Sequence, residues 1–209
     1  MPFFGGDSFA VQFFKILQHD FMPPGVALIV TNPMSGFIVQ VEIAMTLAFI
    51  LCFPFFLYKV MTYLSPALFE HEKKALFKSL LLSSALFILG CLFAYYYMIP
   101  LTFKFMYPFT IALEVIPFFT LDAFMSWIIG ILFATGLTFL LPVFMVILSF
   151  VGVVSPDYWR SKWHYAFVFL LIFSAVITPD QTGVTMLLLF IPLVALYIFG
   201  ALLANRAVR

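Results

Sequence analysis

Tyr63-Leu64-Ser65-Pro66-Ala67-Leu68-Phe69-Glu70-His71-Glu72-Lys73-Lys74 is the densest charged cluster in a chain where only 9% of residues are Asp, Glu, Lys or Arg. Apolar runs lie on both sides of it. A charged loop joining two membrane-buried helices is the simplest physical reading, because backbone at membrane depth must satisfy its own hydrogen bonds and charge belongs in water. The fold class follows from that reading. So does the face on which a water-soluble partner could be recognised.

Working outward, composition agrees. With 65% apolar residues, 30 Phe and a mean hydropathy of +1.18, the chain lies outside the soluble range. The expected class is all-α: one polytopic membrane domain over residues 1–209, with about five transmembrane helices. Residues 1–40, broken by Pro and Gly, form an outer-side interfacial segment. Within it Phe9, Phe13, Phe14, Leu17 and Phe21 recur at helical spacing, with Lys15, Gln18, His19 and Asp20 on other faces, which predicts a short amphipathic helix. Spans are expected at about 41–63, 77–97, 123–154, 165–177 and 184–203. Pro54 should kink the first. Residues 98–122 carry Pro100, Pro108 and Pro117 and read as a connection too broken to cross. The run at 123–154 is long and holds Pro142, so a tilt or bend is implied; the run at 165–177 is short for an ordinary bilayer.

Charge distribution sets the orientation. Lys59, Lys73, Lys74, Lys78, Arg160, Lys162, Arg206 and Arg209 fall on one side, and only Lys15 and Lys104 on the other. The positive-inside rule then puts both charged loops and the C-terminus in the cytoplasm and the N-terminus outside. Neither a basic secretory n-region nor an Arg-rich transit segment is read at the start.

Chemistry-bearing patterns are sparse. His19, His71 and His164 fall in separate segments, and Cys52 and Cys91 sit inside apolar runs as buried small hydrophobes. No metal, cofactor, phosphate loop or nucleophile motif is expected, and no nucleic-acid partner. Glu42, near one end of a span, is almost the only intramembrane ionisable residue, which argues against a pump or ion-coupled carrier. Enzyme function is not expected either. Ser83, Ser84, Gly90, Gly130, Gly136 and Thr138 offer small surfaces for helix packing.

Several strings together resemble the TatC family, the polytopic core subunit of the twin-arginine protein translocase. They are Phe53-Pro54-Phe55-Phe56-Leu57-Tyr58-Lys59-Val60, Ser65-Pro66-Ala67-Leu68-Phe69-Glu70-His71-Glu72-Lys73-Lys74, and Phe87 through Tyr95 with Pro100. Gly152-Val153-Val154-Ser155-Pro156, Thr178-Pro179-Asp180 and Ile191-Pro192 complete the set. The resemblance implies a concave helical bundle that binds twin-arginine signal peptides and recruits TatA- and TatB-like single-span partners in the bilayer, as a homo-oligomer or larger complex. It implies that Glu72, with Glu70, Tyr63, Pro66 and Lys73 around it, receives the signal's arginine pair. By the same resemblance, the bend around Leu140, Thr138 and Pro142 contacts partner helices, and Pro179 and Asp180 form a structural or functional outer loop. Two guanidinium groups want carboxylates, bidentate where possible, so the chemistry fits.

Departures are part of the reading. The family's first span is expected to be missing, Leu140 and Ile198 stand where an acid is frequent, and Trp163 stands where a basic residue is common. The alternative function is therefore a TatC-derived structural subunit of a larger membrane complex, such as a respiratory one. The membrane would be a prokaryotic cytoplasmic membrane or an organellar, mitochondrial inner membrane.

Overall fold

Helix dominates because a chain this apolar has few other ways to satisfy its backbone. The computed structural model describes residues 8–22, 26–64, 70–112, 118–150, 152–178 and 183–207; for 61, 64, 70–79, 110–112, 177, 184 and 207 it describes the backbone alone. Helix α1 (Phe9–Phe21) starts where Ser8 accepts the Val11 N–H on its Oγ at 3.4 Å. It buries Ala10, Leu17 and Phe21. Its apolar face lies against α2 (Ser35–Leu64) and α4 (Ile99–Ala112), so the bundle as well as lipid receives it.

Helix α2 begins at Ser35, earlier than the expected 41, and carries Pro54 inside. Glu42 is therefore not at the end of the span but about 10 Å along it. One of its carboxylate oxygens, Oε2, is buried without a hydrogen-bond partner among the described residues. Helix α3 runs Glu70–Phe93, so Glu70 through Lys74 open a helix rather than lie in a loop.

The larger correction concerns residues 98–122. Instead of breaking, α3 passes through a π-helical turn, Ala94–Met98, into α4, and the apolar span reaches from Leu80 to Phe109. Pro100 explains the turn: in a regular helix its missing N–H would leave the Tyr96 carbonyl unpaired and its ring would strike that carbonyl. Widening just before it, with the Ile99 N–H donating to the Ala94 carbonyl five residues back, absorbs the conflict.

Pro142 acts differently. Helix α5 (Leu121–Thr138) stops at the residue whose carbonyl Pro142 cannot pair, and after a bend at Phe139 and Leu140 helix α6 (Leu141–Phe150) resumes. The long apolar run is thus two helices. Past the end of helix α6, Gly152 has a φ of 79°, the left-handed conformation that glycine adopts without strain. Its N–H donates to the Ser149 carbonyl at 3.2 Å and that of Val153 to Leu148 at 3.1 Å. The short helix α7 (Pro156–Ser161) leads to α8 (Trp163–Ile177) and α9 (Gly183–Ala207).

Among the described residues, four helical stretches are long and apolar enough to cross a membrane: Ser35–Val60, Leu80–Phe109, Leu121–Phe150 and Thr185–Arg206. Helix α8 is apolar but only 15 residues long, about 22 Å against a hydrocarbon core of about 30 Å. The core stacks Phe53 of α2 on Phe87 of α3, ring centroids 3.6 Å apart. Beyond them α3 packs on α5, and α9 on α6 and α8.

One element departs from all-helical. Strands β1 (Ala27–Ile29) and β2 (Phe118–Thr120) pair in parallel, Ala27 opposite Phe118 and Ile29 opposite Thr120. Beside them the Ser35 hydroxyl donates to Asp122 at 2.5 Å, joining the start of α2 to the first turn of α5.

The far end of α1 is tied by the Tyr95 hydroxyl, which donates to the Asp20 carboxylate, while Phe21 meets the Tyr95 ring edge-on at 4.9 Å. The Tyr95 hydrogen bond first, and His19 at 3.2 Å second, hold Asp20 below its ordinary pKa of 3.8. A depressed carboxylate contributes stability that is present above its unfolded pKa and lost as pH falls through the folded one. Protection factors of the α1 backbone amides, that is, exchange corrected for its intrinsic pH dependence, should therefore be smaller at pH values below the ordinary carboxylate range than at neutral pH. Tyr95→Phe should show the smaller protection already at neutral pH. Equal exchange in variant and parent at neutral pH would show that this tie does not hold the helix.

Candidate functional site

A short connection between α2 and α3, which pack on each other, makes them an antiparallel hairpin. Its tip joins Tyr63, 84% exposed, to the helix start that carries Glu70, Glu72 and Lys73. For those three the structure gives the backbone: they occupy the first turn of α3, where carboxylates are favoured by the helix dipole. Pro66 lies outside the described residues, as do Pro179 and Asp180. Lys59, one and a half turns before the tip, places its ammonium 5.4 Å from the Phe55 ring centroid. The expected acidic tip is thus two carboxylate-bearing positions two residues apart in one helical turn.

The α5–α6 bend divides the other three expected residues. Thr138 is 3% exposed and its hydroxyl donates to the Ala134 carbonyl of its own helix at 2.6 Å. Pro142 is buried against Gly200 of α9, so close that a Cβ on Gly200 would stand 2.9 Å from the Pro142 Cα. Leu140 is half-buried on the core. The surface left open at the bend belongs to Leu137 and Phe144.

A cluster that the sequence did not disclose pins α7. The Trp159 indole N–H donates to Ser149 Oγ at 2.8 Å, and the Tyr197 hydroxyl donates to the Trp159 carbonyl at 2.6 Å. A Trp inside a charged loop was the available signal, since a buried indole N–H needs an acceptor. Next to this cluster opens a groove of about 620 Å³ walled by the α5–α6 bend, α7, α8 and Tyr197. Its lining is almost wholly apolar, and among the described residues Lys162 is the one charged residue in it. Among the described residues no group of three or more His, Cys, Asp and Glu could hold a metal ion.

Four spanning helices, a short fifth and an apolar exterior define the class: a polytopic integral membrane protein. The family model for the Sec-independent protein translocase protein TatC matches residues 2–192. The TatC of Aquifex aeolicus (strain VF5) is 34% identical over 205 residues, covering 96% of this chain and 84% of its own length. A chloroplast TATC from Pisum sativum is 29% identical, with 97% and 57% covered. A crystal structure of the twin-arginine translocase receptor TatC superposes with a TM-score of 0.78 at 34% identity, covering 96% of this chain and 89% of that one. The chain belongs to the TatC family. Its relatives are translocase components, a transport role rather than a catalytic one.

Proposed function

We propose that this chain is the signal-recognising and scaffolding subunit of a twin-arginine translocase, acting in the transport of folded proteins across a membrane. The family match along residues 2–192 carries the reading. The acidic first turn of α3 supplies its chemistry. Glu72 and Glu70 receive the arginine pair of the signal, each guanidinium donating charge-assisted hydrogen bonds to a carboxylate. Tyr63 and Pro66 flank the pair, and Lys73 limits the site's net charge. Both basic loops and the C-terminus face the cytoplasm in this proposal, where a signal peptide arrives before transport. Pro179 and Asp180 then belong to the outer surface.

TatA- and TatB-like single-span proteins are the proposed partners. At the α5–α6 bend they meet the half-buried Leu140, while Thr138 and Pro142 shape the bend from inside. The membrane is a prokaryotic cytoplasmic membrane or an organellar inner one. The alternative of a purely structural subunit finds no support in the relatives named above, which carry translocase names.

Site-specific cross-linking tests the recognition step. A photoreactive residue at position 63 should capture a twin-arginine signal peptide in native membranes, and capture should drop when its arginine pair becomes a lysine pair. Equal capture of both peptides would reject the site.

A further inference from the structure

The groove beside α7 has an unusual division of polar groups. Three of those on its walls are already used inside the bundle: Thr138 donates to Ala134, Trp159 to Ser149 and Tyr197 to Trp159. The Lys162 ammonium is the one charge that lines it, 5.7 Å from the Tyr165 ring centroid, with Tyr158 also on the lining. Lys, Tyr and Trp together are the chemistry of the headgroup level, and the Leu and Phe side chains of α6 and α8 that form the rest of the lining are the chemistry of the hydrocarbon. The groove thus offers a cation at one depth and an apolar slot at the other.

We propose that it binds an anionic phospholipid, with the phosphate on Lys162 and an acyl chain in the slot. Size favours a chain over a helix. A helix 10–12 Å across rising 1.5 Å per residue would fit only about four or five residues into this volume, whereas a span needs about twenty. The ammonium at the mouth selects for negative charge. Helix α8, 15 residues long, adds a reason: beside so short a helix an ordinary lipid is mismatched, and a chain lying in the slot is accommodated. The inference does not depend on the signal-recognition reading.

The chain has three tryptophans. Replacing Trp127 and Trp163 by Phe leaves Trp159, on the groove wall, as the only emitter. The full chain is reconstituted in phosphatidylcholine vesicles holding a small fraction of brominated phosphatidylglycerol, or the same fraction of brominated phosphatidylcholine. The anionic lipid should quench Trp159 with about fivefold higher apparent affinity, the worth of one interfacial cation. Lys162→Arg should keep that preference and Lys162→Gln should remove it, with circular dichroism unchanged. Ala166→Phe, which fills the slot, should weaken quenching by both lipids. Equal quenching by the two lipids, or a preference that survives Lys162→Gln, would overturn the proposal. So would a single-span helical peptide that abolishes the quenching at one peptide per protein, since that result assigns the groove to a helix.

Discussion

Glu72→Gln is expected to cut export of a twin-arginine reporter at least about tenfold while the protein stays at its normal level in the membrane. A hydrogen bond to a charged group contributes about 1.5–3 kcal/mol, so losing one carboxylate's contact with a guanidinium weakens binding by about ten- to a hundredfold. The amide keeps the size and one acceptor but loses the charge that makes the bond strong. Glu72→Asp keeps the charge with a shorter reach and should fall between the two. Glu70→Gln should have the smaller effect if Glu72 is the primary contact, and the double variant should exceed either. Lys73→Gln removes a cation from the same turn and should leave export intact or slightly raised. Export unchanged by Glu72→Gln, with the protein present at its usual amount, would sink the receptor reading.

Gly90→Val should destabilise the bundle by about 3 kcal/mol, the upper end of what overpacking costs. Helices α3 and α5 cross where Gly90 meets Gly136: a Cβ on Gly90 would lie 2.9 Å from Phe139 Cβ and 3.0 Å from the Gly136 backbone. Backbone cannot rotate aside, so the two helices would have to part. In lipid that separation is costly, because close backbone approach and the dispersion contacts it permits replace the hydrophobic drive available in water. Gly136 is equally enclosed, by Cys91 Sγ and Phe87 at 2.9 Å. Gly130 provides the control, for nothing lies within 4 Å of its Cβ position. Gly130→Ala should be neutral or stabilise by up to about 1 kcal/mol through helix propensity. Unfolding of detergent-solubilised protein in increasing mole fractions of a denaturing detergent reads both. A Gly90→Val variant as stable as Gly130→Ala would show that the crossing is looser than described.

Hydropathy made the spans legible because the bilayer leaves an apolar chain little choice but helix. The amphipathic spacing from Phe9 to Phe21 likewise marked α1, residue for residue. Prolines misled in one direction. Pro100 and Pro108 were read as breakers, yet both sit in α4, because a π-helical turn accommodates the first and the membrane penalises an open backbone more than it penalises a distorted helix. Pro142 behaved as its chemistry predicts and bent the long run at Phe139 and Leu140. The pairing of Ala27–Ile29 with Phe118–Thr120 was illegible, since nothing local in either tripeptide names a partner so far along the chain. Of the site, Tyr63 and the acids of α3 were visible as a charged cluster in an apolar chain. The groove was not, because its walls come from five separate helices and only folding brings them together.

That small strand pair has a consequence for biogenesis. A chain emerges from the ribosome N-terminus first, so Ala27–Ile29 is made long before Phe118–Thr120. Two hydrophobic segments must enter the membrane while the earlier strand waits, its amides open to solvent or to a chaperone. Latching of that end of the bundle then follows delivery of the third. A nascent chain stalled before β2 should expose those amides to rapid deuterium uptake, and one released after α5 should protect them.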